Sequence, residues 1–126
     1  MGRRQVLIEQ GSATVEFFLV LPLVVLVAVA SIQVIGIAQA RLDLQAAARD
    51  GARVAATTPD PSRAVDSVMA ALPPEVRERA RISVERPDRV GVPARVTVRL
   101  HHLLGVPFPA GMGVDLTATA SMRTER

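Results

Sequence analysis

Polar and apolar positions divide this chain into three regimes. Residues 1–11, Met-Gly-Arg-Arg-Gln-Val-Leu-Ile-Glu-Gln-Gly, are short and mixed in character. From Phe17 to Ala38 there follow 22 residues without a single charge. As a helix, that run would be about 33 Å long at ~1.5 Å per residue, enough to cross a hydrocarbon core of about 30 Å. Gln33, toward its far end, is the only strongly polar side chain inside it. Pro22 lies early in the run, lacks an amide hydrogen, and predicts a helix kink or local opening of a kind that membrane helices tolerate.

Beyond the run the periodicity stays helical. Leu44, Ala48, Gly51 (or Ala52) and Ala55 recur at three- and four-residue spacing, while Arg41, Asp43, Arg49, Asp50 and Arg53 occupy the other positions. Strong helix formers fill the segment, so residues 39–57 are expected to continue the same rod. Thr57-Thr58-Pro59-Asp60-Pro61 ends it, with Asp60 as N-cap and Pro61 in the first position of a new helix reaching about Leu72. Pro73-Pro74 stops that helix, and one more turn is expected over 75–80.

The period then changes to two. Ile82 and Val84, then Ala94, Val96, Val98 and Leu100, then Val114, Leu116, Ala118, Ala120 and Met122 each alternate with polar residues. Such alternation predicts three antiparallel strands with one wet face. Pro87–Gly91 and Gly105–Gly113 are the connecting loops. The expected fold class is α+β: a long N-terminal transmembrane helix continuing into a small head of one short helix and a three-stranded antiparallel sheet. The divisions are 1–11 leader, 12–38 transmembrane helix, 39–57 extramembrane continuation and 58–126 head. Small residues on the rod are read as helix-to-sheet packing within one subunit, and Gly36 with Ala40 as ordinary membrane-helix composition.

Composition narrows the chemistry. With no Cys, disulfides and thiolate metal sites are excluded. All 15 basic residues are Arg, interleaved with acids to a net charge of +3, and Phe108 is the only aromatic beyond the span. No basic stripe or stacking platform exists for nucleic acid. His101 and His102 are adjacent on a strand, point to opposite faces and cannot chelate one metal together. Asp115 reads as an ordinary strand-edge charge. Local signatures give no catalytic set, so the expectation is a non-enzyme without metal or cofactor. A head of about 69 residues with one aromatic is expected to be only marginally stable.

One short motif carries more. Gly11-Ser12-Ala13-Thr14-Val15-Glu16-Phe17 sets a small residue five positions ahead of the only acid near the apolar run. A carboxylate at the lip of a span is costly and usually functional, although taken alone Glu16 could simply mark the end of the span. Together with Leu19-Val20-Leu21-Pro22-Leu23 and Leu44-Gln45-Ala46-Ala47-Ala48-Arg49-Asp50-Gly51-Ala52-Arg53, this motif resembles TadE-like pseudopilins of tight-adherence (Flp-type) pilus systems. The resemblance covers 11–56 well and 114–123 weakly, and the middle of the chain is not diagnostic.

That resemblance implies a minor pilin or pseudopilin cut between Gly11 and Ser12 by a prepilin peptidase. Ser12 then becomes the N-terminus, and Glu16, beside Phe17, helps recruit the subunit into a filament. The implied partners are the peptidase, other pilin or pseudopilin subunits and the inner-membrane assembly platform. The implied location is the cell membrane, single-pass, N-terminus cytoplasmic and head extracytoplasmic, with incorporation in a surface pilus. Charge alone does not orient the span, because Arg3 and Arg4 on one side face Arg41, Arg49 and Arg53 on the other. Ala38-Gln39-Ala40 supports a different product, a secreted soluble binding domain released by signal peptidase after Ala40, although the apolar run exceeds the usual ~7–15 residues of a signal peptide.

Overall fold

In the computed structural model, which describes the backbone of residues 2–124 and the side chains of 13–124, run and rod form one helix, α1 (Gly2–Thr57). The helix continues without interruption past Pro22 and past Ala38–Ala40. Its apolar part is long enough to cross a membrane and is not buried against the rest of the chain. The second part is different. Leu44, Ala47, Ala48, Ala52, Ala55 and Ala56 are buried, whereas Arg41, Asp43, Arg49, Asp50 and Arg53 stay exposed.

After Thr57 the chain turns into α2 (Pro61–Ala71). The Asp60 carboxylate accepts a hydrogen bond from the Ser62 amide at 3.0 Å, and Pro61 starts the first turn. Hydrogen bonding to Ser62 holds the Asp60 carboxyl below the usual carboxylate value. Its contribution is therefore present above the unfolded pKa of about 3.9 and is lost as pH falls through the lower folded value. The extra turn, α3, spans Pro74–Arg77 and so begins and ends earlier than 75–80. Pro74 suits a first helical position, and the chain is already extended at Ala80.

Strands β1 (Ala80–Glu85), β2 (Pro93–Leu103) and β3 (Gly113–Arg123) form an antiparallel sheet in the order β1-β2-β3. Register places Val84 opposite Val96 and Val96 opposite Ala120. The inner face carries Ala94, Val96, Val98, Leu100, Leu116 and Ala118 into the core, together with Ala64, Val68 and Leu72 of α2. Ile82 and Val84 are only half-buried because β1 is an edge strand. The apolar face of β3 does not stay buried to its ends, since Val114 and Met122 are 37% and 44% exposed, beyond the cover that the helices provide. The core is thus a sandwich of sheet against two helices, and one of those helices is the distal half of α1.

At Gly51 the rod packs tightly against α2 and β2. A Cβ there would collide with Val68 and lie 3.2 Å from Val96 Cγ1, both buried core side chains. Gly51→Val should cost about 1–3 kcal/mol by overpacking, lowering the melting temperature of the head in the detergent-solubilised chain. Unchanged proteolytic protection of the head on heating would show that this contact is not tight.

Candidate functional site

The sequence-predicted functional residues all lie on α1. Of the expected cleavage pair, Gly11 and Ser12, only the backbone is described. Glu16 and Phe17 are exposed on the helix surface, Phe17 at 63%. The large apolar side chains from Val15 to Val27 are likewise exposed. A helix segment that is apolar all round and, from Val15 to Val27, exposes its large side chains is built to be solvated by lipid or by other helices. In that setting the Glu16 carboxylate is the only charge between Ala13 and Gln39. In lipid, an ionised group of this kind needs a cationic or hydrogen-bonding partner.

Pro22 sits in the middle of this surface, inside the continuous helix α1. At Gly36 a Cβ would meet nothing within 4 Å, so that half-buried position has room for a side chain, while Ile37 and Ala40 pack against the core of the head. The rod and the head are therefore joined by side-chain packing that begins before Arg41.

Two contacts were not foreseen from the sequence. Gln33 Nε2 donates to the Val106 carbonyl at 3.2 Å, which brings the β2–β3 loop back against the apolar run. The signal available was the length of the charge-free stretch Leu103–Val114, which turns on two prolines and three glycines. The second is a pair between His101 Nδ1 and Asp115 Oδ1, 2.6 Å apart. These residues are directly opposite in the β2–β3 register, so Asp115 is a cross-strand partner and not merely an edge charge. Both side chains are substantially solvated, and such exposed pairs contribute little.

Among the described residues, no group of three or more His, Asp or Glu is placed to hold a metal ion. A hollow lined by Arg79, Arg81, Arg99, His101 and Asp115 among others lies beside β1, β2 and β3. The chemistry on offer is that of a surface: an apolar helix with one carboxylate near its end.

Comparison with known families agrees with this placement. Residues 11–53 match the family described as TadE-like protein. The match takes in the Gly11–Phe17 motif, the apolar run and the rod as far as Arg53, and it does not include the sheet. No curated protein and no solved structure matches the chain significantly.

Proposed function

We propose that this chain, which carries a TadE-like domain over residues 11–53 and is in that respect a Tad pilus-associated protein, works as a minor pilin or pseudopilin. In this reading a prepilin peptidase cuts between Gly11 and Ser12, leaving a subunit that begins at Ser12. The apolar half of α1 spans the membrane with its N-terminus on the cytoplasmic side and then enters the filament. There Glu16 meets the free Ser12 amine of a neighbouring subunit, which satisfies both charges and favours one axial register. The role is structural, with no catalysis and no cofactor. Its partners are the peptidase, the other pilin or pseudopilin subunits and the inner-membrane assembly platform.

The observation that supports this best is the combination of an unburied apolar helix with a lone carboxylate at its entrance, inside the matched segment. The continuous helix also bears on the competing reading, a soluble domain released after Ala40. Cleavage there would cut through α1 and separate Ile37 and Ala40 from the core they pack against. Deleting the gene should abolish or sharply reduce surface filaments, with recovery on complementation. Undiminished filament number in the deletion strain would remove the proposed role.

A further inference from the structure

The β2–β3 loop meets α1 at a depth that has a consequence if α1 spans a membrane. Gln33 lies 17 residues beyond Glu16. At ~1.5 Å per residue that is about 26 Å along the axis, less than the ~30 Å thickness of the hydrocarbon core. With Glu16 at one lip, Gln33 and the loop hydrogen-bonded to it stand at or just inside the opposite boundary. The first charge on the helix past that point is Arg41, about 12 Å farther along at the same rise.

The loop is composed for that place. Leu103 to Val114 contains no charged residue. Val106 is 77% exposed, and Leu103, Phe108 and Met112 are exposed as well. Its backbone is partly satisfied internally: Leu104 N donates to Met112 O at 2.9 Å, Phe108 N to Gly105 O at 3.0 Å and Met112 N to Pro109 O at 3.1 Å. Pro107 and Pro109 have no amide hydrogen to satisfy. Gln33, otherwise a costly amide in an apolar helix, gives one of its hydrogens to the Val106 carbonyl. Lipid-exposed irregular backbone does not occur within the hydrocarbon core itself, so the polar groups of the loop that remain unmatched place it in the hydrated interface, with only its apolar side chains reaching inward. At Gly105 a Cβ would lie only 2.7 Å from Gln33 Nε2, so a side chain there would displace the Gln33 amide from its present position. The loop at the opposite end of the sheet, Arg86 to Val92, is charged.

We propose that the β2–β3 loop is a second membrane contact of the unassembled subunit, inserting Val106 and Phe108 into the outer-leaflet interface beside α1. Two points of attachment then fix the tilt and height of the head above the bilayer. The inference rests on α1 spanning the membrane, and the test keeps the two apart. The chain has no cysteine, so single cysteines can be placed at Val24, Val90 and Val106 of the full chain and labelled with an environment-sensitive fluorophore. The labelled proteins are reconstituted at low protein density in phosphatidylcholine–phosphatidylglycerol vesicles, then titrated with aqueous iodide and with lipids carrying chain nitroxides.

The Val24 label should be quenched by deep nitroxides and the Val90 label by iodide. The Val106 label should lose most of its iodide quenching and be quenched by shallow chain nitroxides. A Val106 label as iodide-sensitive as that at Val90, with Val24 still lipid-quenched, overturns the loop insertion alone. Protection of Val106 that appears only at high protein density, without nitroxide quenching, assigns the loop to a second subunit and also overturns it. A Val24 label that lipid nitroxides do not reach overturns the spanning helix and the loop insertion together.

Discussion

A fragment of residues 58–126 is expected to stay unfolded under conditions where a fragment of residues 39–126 melts cooperatively. The shorter piece contains every strand and both short helices, but it lacks one wall of the core. Leu44, Ala47, Ala48, Ala52, Ala55 and Ala56 belong to α1 and are essentially inaccessible. Losing a buried leucine side chain alone costs about 2–5 kcal/mol, and each buried methyl adds about 0.8 kcal/mol. Removing the rod also opens Val68, Val96 and Val98 to water. Against a total stability of about 5–15 kcal/mol for an ordinary domain, and less for one this small, that loss leaves no folded state. Amide dispersion in NMR spectra and a thermal scan by circular dichroism would read the difference. A cooperative transition in the 58–126 fragment would mean that the sheet and α2 form a core without the rod.

Glu16→Ala should leave the subunit in the membrane but reduce its entry into filaments by roughly ten- to a hundredfold. The estimate comes from losing one charge-assisted hydrogen bond, worth about 1.5–3 kcal/mol, at about 1.4 kcal/mol per factor of ten. Glu16→Gln separates charge from hydrogen bonding: it keeps the acceptor and should recover part of the loss. Quantifying the subunit in sheared filaments and in membranes of the same cells checks both variants. Equal partition of wild type and Glu16→Ala would leave Glu16 as nothing more than the end of the span.

Much of the fold was legible because its signals are periodic. The switch from three-and-four spacing to strict alternation near Ala80 marked the passage from helices to sheet, and the three strands lie where the alternation predicts them. Asp60 and Pro61 were legible because capping chemistry is local. The burial of the rod's small-residue stripe followed from its spacing. What was not legible depends on the third dimension. That Val114 and Met122 emerge from the core reflects how far α1 and α2 extend over the sheet, which no local pattern encodes. The bond between Gln33 and Val106 joins residues 73 positions apart, through a loop whose only advertisement was the lack of charge. The His101–Asp115 pair required the β2–β3 register.

The candidate site divides in the same way. Glu16, Phe17 and Pro22 could be picked out because a carboxylate beside a 22-residue uncharged run is chemically conspicuous. The extent of the matched family segment, from Gly11 to Arg53, likewise coincides with the part of the chain richest in sequence signal. The head carries no comparable motif, and its surface chemistry emerges only once the strands are paired.

The processed N-terminus tests the central claim most directly. Intact mass and N-terminal sequencing of the full chain, produced with and without an active prepilin peptidase, should show peptidase-dependent loss of residues 1–11 and a start at Ser12. A chain that keeps residues 1–11 in the presence of the active peptidase, or one that starts at Arg41 regardless of it, would contradict the account.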